Sequence, residues 1–448
     1  MFKKILIANR GEIACRIIKT CQRLGIPTVA VYLSIEGNPL HARMADESLL
    51  LPQKEIPATS YLDAPAIIEL ARRCGADAIH PGYGFLSESP AFAELCEEAG
   101  ITFIGPKREI AELMADKWAA REKLSSLSIP VLPGHLIEEN VLELKASEVE
   151  SVGFPMIVKA SGGGGGIGMQ EVFEPSQLSR AVRRASSSAS RAFGTKEVYV
   201  EKLITSARHI EVQIVADQQG NVFHLWEREC SGQRRHQKIV EESPSPSIDD
   251  SLRDRLLSMS VKAAKSTNYV GVGTFEYIVD VDNKPYFLEA NTRLQVEHGV
   301  TEMVTGVDIV EQQIRAASGL KVTLSGRNTP VFQGHSIECR VYAEDAKTFV
   351  PSPGNIDEFK LPTESDLRID TGYMKGDKVT PYFDPLLAKV ICWGENRQDA
   401  IRRMERVITE IVISPVETNL SILKKILNDP EFLSGYYTTD LVKNLARS

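Results

Sequence analysis

Five consecutive glycines, Gly162 to Gly166, follow the apolar stretch PMIVKA in the string KASGGGGGIGMQ. Glycine loses more conformational freedom on folding than any other residue, so such a run serves no packing purpose. It lies between a strand ending near Lys159 and a Ser/Ala/Arg-rich helix expected near 176–193. There its use is close approach: backbone N–H groups without Cβ atoms close over phosphate oxygens, while Lys159 supplies a point charge. A flexible linker is the alternative, but linkers seldom sit between a strand and a helix just after a lysine. No GKS or GKT follows, so this is not a Walker loop and a different nucleotide fold is needed.

Upstream, KILIA at 4–8, an amphipathic stretch from Glu12 to Leu24 and TVAVYL from Thr28 alternate as strand, helix, strand. DAIHP at 77 and TFIGP at 102 repeat the pattern, which predicts a doubly wound α/β domain over 1–113. Its first turn, NRGEIACR, lacks the GxGxxG of a dinucleotide site, so a nicotinamide or flavin function is disfavoured and a purely architectural domain competes. Residues 107–130 are expected to be helical, ending at Ile129-Pro130, with a linker at Pro133-Gly134. The second domain is expected over 114–330, with a glycine-rich lid at 131–203, and a mixed C-terminal subdomain over 331–448. From His209 the chain turns to long β-patterned segments, with helices near 249–268 and 307–318.

Residues 273–297 read GTFEYIVDVDNKPYFLEANTRLQVE. With Asp282-Asn283 as the tight turn of an antiparallel hairpin, Glu276 falls directly opposite Glu289. Like charges so placed destabilise a sheet unless a cation lies between them. Asn291 shares their face and adds a neutral oxygen. Three hard oxygen donors with no His or Cys nearby favour magnesium or manganese held jointly with a nucleotide's phosphates. A solvated acidic edge is the alternative; it is disfavoured because Arg293, Gln295 and Glu297 continue the same alternation while Leu294 and Val296 take the other face.

A third segment, ERECSGQRRHQKIVEESPSP at 227–246, holds Gln233, Arg234, Arg235, His236 and Lys238. Alone it reads equally as solvated loop charge. Cys230 has no base identifiable from sequence, so it is expected to be a buried spacer. Lys and Arg total 52 against 60 Asp and Glu, a net charge of −8, without the basic excess of a nucleic-acid binder. The apolar runs fall short of the roughly 20 residues of a bilayer span, and the ILIA run near the N-terminus is too short for an export signal. Seven scattered cysteines without CxxC spacing predict reduced thiols and a cytoplasmic location.

A lysine strand with a glycine lid, then a hairpin ending in Glu-x-Asn, resembles the ATP-grasp superfamily. HPGYGFLSE (80–88), CSGQRRHQK (230–238), NTRLQVEH (291–298) and FVPSPG (349–354) resemble the biotin carboxylase family, in order and from Lys3 to about Leu441. The resemblance implies an ATP-grasp fold, α/β (α+β overall). It implies ATP- and bicarbonate-dependent carboxylation of biotin through carboxyphosphate. By this similarity Lys117 and Lys159 contact ATP phosphates, Gly165 and Gly166 belong to the lid, and Glu201, Lys202 and Leu203 form the hinge beside adenine. His209, Gln233 and His236 complete the nucleotide pocket. Glu276, Glu289 and Asn291 hold magnesium or manganese, two ions in all. Lys238, Arg293, Gln295 and Val296 match the bicarbonate pocket, Glu297 the general base, and Arg340 the group that steadies the biotin ureido oxygen.

Some positions depart from the family pattern: Ile167 replaces an arginine, Ala290 and Gly299 replace Met and Pro, and Gly232 replaces a larger apolar residue. The only Met-Lys pair is Met374-Lys375 in YMKGD, so biotin is expected on a carrier protein, with the carboxyltransferase also on a separate chain. The resemblance further implies a homodimer, with no nucleic acid and no membrane as partner. It points to acetyl-CoA carboxylase and fatty acid biosynthesis, while VEHGVTE resembles urea carboxylase modules and leaves urea, pyruvate or another acyl-CoA as acceptor. A different ATP-grasp ligase is the rival within the class, and a catalytically dead nucleotide sensor the rival outside it.

Overall fold

The computed structural model describes residues 1–137, 146–162, 168–235, 237–324 and 331–445. Gly165, Gly166, Ile167 and His236 lie outside these residues.

The N-terminal part is a parallel five-stranded sheet in the order Glu47–Leu50, Thr28–Tyr32, Ile5–Ile7, Ala78–His80, Thr102–Phe103. Ile13, Ile17, Ile18 and Cys21 recur at helical spacing on Gly11–Arg23 and pack with Ile5 and Ile7 in one buried cluster. Each such isoleucine contributes about 1.5–3 kcal/mol of burial. The loops after the strands Ile5–Ile7 and Ala78–His80 are tied together by Asn9, whose Nδ2 donates to the carbonyls of Pro81 (2.6 Å) and Tyr83 (2.7 Å). Gly82 allows this approach: a Cβ there would lie 2.9 Å from Asn9 Nδ2. The loop it fixes, Tyr83 to Glu88, reaches the large cleft described below, as open α/β sheets place function at the carboxyl ends of their strands.

The helix expected over 107–130 is two, Arg108–Ala115 and Lys117–Ser126. Asp116 breaks it: its Oδ1 accepts from the N–H groups of Trp118 (2.9 Å) and Ala119 (3.1 Å), the geometry of an N-cap, and from Ser161 Oγ (2.7 Å). A capping aspartate leaves the helical conformation, so the chain turns and Lys117 opens the second helix facing the cleft.

A four-stranded antiparallel sheet, Gly134–Ile137, Val198–Lys202, Met156–Ala160 and Gln170–Val172, carries the helix Leu178–Phe193 on one face. The third sheet has eight antiparallel strands in the order Pro285–Asn291, Gly271–Val279, Arg208–Ala216, Val222–Arg234, Gln237–Ser243, His335–Tyr342, Leu386–Gly394, Leu367–Thr371. The segment 227–246 is therefore no solvated loop. It supplies two neighbouring strands in which Glu227, Arg228 and Glu229 are fully buried. No helix among the described residues is long and apolar enough to cross a membrane.

Glu276 does face Glu289, but not through the expected turn. Tyr277 pairs Phe287 and Val279 pairs Pro285, and the loop closes between Asp280 and Lys284, with Asn283 at φ 60°. Leu288 is then the extra residue of a β-bulge, which restores the register at Glu276. Nor does the alternation run on as strand to Glu297: the strand ends at Asn291, and Glu297 sits immediately before the helix His298–Thr305.

Candidate active site

The four-stranded sheet, the large sheet and the N-terminal loops enclose a cleft of about 1580 Å³, lined by most of the expected residues. On the side of the four-stranded sheet Lys159, near the end of the strand Met156–Ala160, donates to Glu201 Oε2 at 2.6 Å. Arg121 reaches the other oxygen of Glu201 at 3.0 Å. Glu201 is thus fixed between two cations, and Lys159 is engaged by a carboxylate on the neighbouring strand. Beyond it the Lys202 N–H donates to the Pro133 carbonyl (2.9 Å), Lys202 Nζ to the Phe154 carbonyl (2.8 Å), and the Leu203 N–H to the Pro155 carbonyl (3.1 Å). These bonds hold one cleft edge rigid. Arg121 was not anticipated, although it stands one helical turn from Lys117 and shares its face.

Across the cleft, Lys117 pairs with Glu289. Glu276 is surrounded by donors: His209 Nε2 at 2.5 Å, Asn291 Nδ2 at 2.7 Å, Gln295 Nε2 at 2.9 Å and Lys238 Nζ at 3.2 Å. Burial alone would raise its pKa, but Lys238 and His209 outweigh burial and hold it below the carboxylate range. Glu289 is lowered in the same way, burial being overcome by Lys117. The expectation of no histidine nearby is therefore corrected. His209 lies against Glu276 because it sits on the adjoining strand Arg208–Ala216, two residues from Glu211, which pairs with Glu276, and it orients the carboxylate. Two ionised, opposed carboxylates and an amide oxygen form a hard donor set that fits a magnesium-like ion.

Lys238 is the hub. Its Nζ lies 2.7 Å from Glu297 Oε1 and 2.7 Å from Glu211 Oε2 as well as beside Glu276. Glu297 is fully buried, and Arg340 Nη2 donates to its second oxygen at 3.0 Å. Burial pushes the Glu297 pKa up, yet Lys238, Arg340 and Arg228 prevail and hold it well below its usual range. Arg340 is also paired with the buried Glu241. Arg293 extends to the cleft wall, donating from Nε to Glu88 Oε2 (2.8 Å), from Nη2 to Asn291 Oδ1 (3.1 Å) and from Nη1 to Gln295 Oε1 (3.1 Å). Gln295 Nε2 also donates to Thr274 Oγ1 (2.9 Å), and the Val296 carbonyl accepts from Lys389 (2.7 Å). Gln233 Nε2 approaches His209 Nδ1 at 3.3 Å.

Glu88, Glu211 and Lys389 were not singled out from the sequence. Parity could have found Glu211, since it shares its strand face with His209 and pairs with Glu276 across the sheet. Glu88 closes the HPGYGFLSE string, so the N-terminal domain is more than scaffold. Cys230 is fully buried, its thiol pushed up by burial and 4.0 Å from Glu297, as suits a spacer. Gly232 has a local reason: a Cβ there would lie 2.5 Å from the Val240 carbonyl, at an irregularity where the two strands close up.

Family models place this arrangement. Residues 1–111 match the biotin carboxylase N-terminal domain, 116–325 the ATP-binding domain of the carbamoyl-phosphate synthase L chain, and 338–444 the biotin carboxylase C-terminal domain. A biotin carboxylase of Halalkalibacterium halodurans is 47% identical over 99% of this chain and 98% of its own. The structure superposes at a TM-score of 0.94 on a βγ-ATP complex of biotin carboxylase from Campylobacter jejuni, 42% identical and covering 100% of this chain and 99% of that one. A TM-score of 0.94 is also found with the biotin carboxylase domain dimer of 2-oxoglutarate carboxylase from Hydrogenobacter thermophilus, in complex with MgADP, ADP and bicarbonate; it is 44% identical, covering 99% and 98% of the two chains. With family models, relatives and fold in agreement over nearly its whole length, the chain belongs to the biotin carboxylase family.

Proposed function

We propose that this chain carboxylates biotin at the expense of ATP, using bicarbonate, and that the cleft residues divide the work as follows. The observation that carries this reading is the convergence of Lys238, Arg293 and Arg340 around an ionised, buried Glu297, beside the opposed Glu276 and Glu289. Lys117 and Lys159 neutralise the nucleotide phosphates. His209 and Gln233, with His236, complete the nucleotide pocket, and the backbone from Glu201 to Leu203 flanks the base. Glu276, Glu289 and Asn291 hold magnesium or manganese, which when bound neutralises phosphate charge.

Bicarbonate is held by Arg293, Lys238, Gln295 and the backbone at Val296. In the resting cleft Glu297 is a weak base, because Lys238 and Arg340 stabilise its anion. An incoming anion draws those cations toward itself and lets the Glu297 pKa climb toward the range where it removes the bicarbonate proton. Bicarbonate oxygen then attacks the γ-phosphorus and ADP leaves, giving carboxyphosphate. Inside the closed cleft this decomposes to carbon dioxide and phosphate, and phosphate takes the ureido N1 proton of biotin. Arg340 stabilises the negative ureido oxygen while that nitrogen attacks carbon dioxide.

Biotin arrives on a separate carrier protein, a separate carboxyltransferase takes the carboxyl group onward, and the chain works as a cytoplasmic homodimer. Acetyl-CoA is the acceptor favoured here; urea, pyruvate and other acyl-CoA thioesters remain the alternatives to compare. Phosphate release measured with each of divalent ion, bicarbonate and biotin omitted in turn tests the reading. Turnover that ignores both bicarbonate and biotin overturns it, and a biotinylated partner that co-purifies identifies the pathway.

A further inference from the structure

Lys389 lies on the strand Leu386–Gly394, opposite Arg340 on one side and Asp370 on the other. Its side chain is fully buried, and the chemistry above leaves it without a task. Its Nζ donates to the Val296 carbonyl at 2.7 Å and stands 3.4 Å from Glu12 Oε2 and 3.8 Å from Asp370 Oδ2. Glu12 comes from the first helix, and its other oxygen accepts from the Tyr83 hydroxyl on the cleft wall. The N-terminal helix, the Arg293–Glu297 turn and the last strands of the large sheet thus meet at one ammonium group.

A buried charge is an expensive way to fill space: methionine of similar volume would do so without desolvation. What the charge adds is a directed bond to a backbone segment that needs one. The strand ends at Asn291, so the residues that carry Arg293, Gln295 and Glu297 have left the ladder that would fix their carbonyls. Lys389 supplies an anchor from the far end of the same sheet, at the residue immediately before Glu297.

We infer that Lys389 is a positioning residue that pins the Val296 carbonyl, so fixing the turn that presents Gln295 and Glu297 and setting the affinity for bicarbonate. This rests on the bicarbonate reading given above. ATP, whose contacts in that reading are Lys117, Lys159, His209, Gln233 and the Glu201–Leu203 backbone, none of them bonded to Lys389, should be little affected.

The test compares wild type, Lys389→Met and the double variant Lys389→Met/Glu12→Gln, in which the carboxylate left without its cation is also neutralised. Initial rates of phosphate release are measured against bicarbonate and against ATP, together with thermal midpoints. In both variants the apparent KM for bicarbonate should rise at least tenfold while that for ATP stays within twofold, and the double variant should regain the midpoint lost by the single one. A stable double variant with wild-type bicarbonate KM overturns the proposal. So does an equal rise in both constants, or failure of both variants to fold, which would make Lys389 a core residue and nothing more. Wild-type turnover independent of bicarbonate would instead strike the reading of the site itself.

Discussion

Glu276 and Glu289 face each other across one hairpin, yet each is engaged from a different side, Glu276 by the Lys238 ammonium and a hydrogen bond with His209, Glu289 by Lys117. The two carboxylates stay ionised at close quarters because their cations come from separate elements, Lys238 from the strand Gln237–Ser243 and Lys117 from the start of the helix Lys117–Ser126. The hairpin thus holds two ionised carboxylates face to face with their charge balanced by the protein's own cations.

Glu289→Gln should therefore raise the magnesium concentration needed for half-maximal phosphate release at least tenfold, while shifting stability by no more than about 1 kcal/mol, since its partly exposed pair with Lys117 contributes little. A magnesium titration alongside a thermal melt checks this. Full activity at limiting magnesium would refute the assignment of Glu289 to the ion.

Arg340→Ala and Arg293→Ala should differ in kind. Without Arg340 the slow bicarbonate-dependent release of phosphate persists, because carboxyphosphate is still made and lost to water, but carboxybiotin formation falls at least a hundredfold. Without Arg293 both fall. Phosphate release and carbon-14 fixed on biotin are measured together for each variant, and fixation by Arg340→Ala at the wild-type rate would mean that the biotin oxygen is held elsewhere.

Glu211 gives a pH signature. Burial raises its pKa from 4.5 to about 7 against the pull of Arg228 and Lys238, so the folded chain holds this proton more tightly than the unfolded chain. The associated stability is full below about pH 4.5 and is lost as pH rises through about 7. Wild type should lose on the order of 1–3 kcal/mol over that window that Glu211→Gln does not. Urea midpoints at both ends for both proteins decide it, and parallel pH curves would show that Glu211 is already ionised at low pH.

Asp116→Ala should cost about 1–2 kcal/mol through the lost cap and loosen the start of the helix that carries Lys117 and Arg121. Nucleotide affinity should fall several-fold in step. Thermal melts and a nucleotide titration measure the two effects, and a fall in stability with unchanged nucleotide affinity would separate the cap from the site.

The legible parts of the sequence were those where one element suffices. The alternation of Glu276, Glu289 and Asn291 put three oxygens on one face. The hairpin was read correctly at its site for an incomplete reason: the loop closes one residue earlier in register, and the bulge at Leu288 restores it. A bulge leaves no composition signal in a strand of ordinary residues, so the two shifts cancelled unseen. Asp116 was hidden because its neighbours on both sides are good helix formers. Glu88 and Lys389 were hidden because their partners, Arg293 for the one and Val296 and Glu12 for the other, lie on other elements far along the chain, and their pairing is a property of topology.

The large sheet also dictates an order of assembly. The strand Gln237–Ser243, which carries Lys238, is bordered on one side by Val222–Arg234 and on the other by His335–Tyr342, a strand made much later. Until the ribosome has delivered that strand, the growing chain holds an open sheet edge with Glu241 and Glu242 still in water and Arg340 absent from Glu297. Long-range pairing of this kind is slow and leaves edges vulnerable to other chains. Newly made chains that stop before His335 should therefore be captured by chaperones or aggregate, and no nascent fragment should hydrolyse ATP before the far half of the sheet has closed.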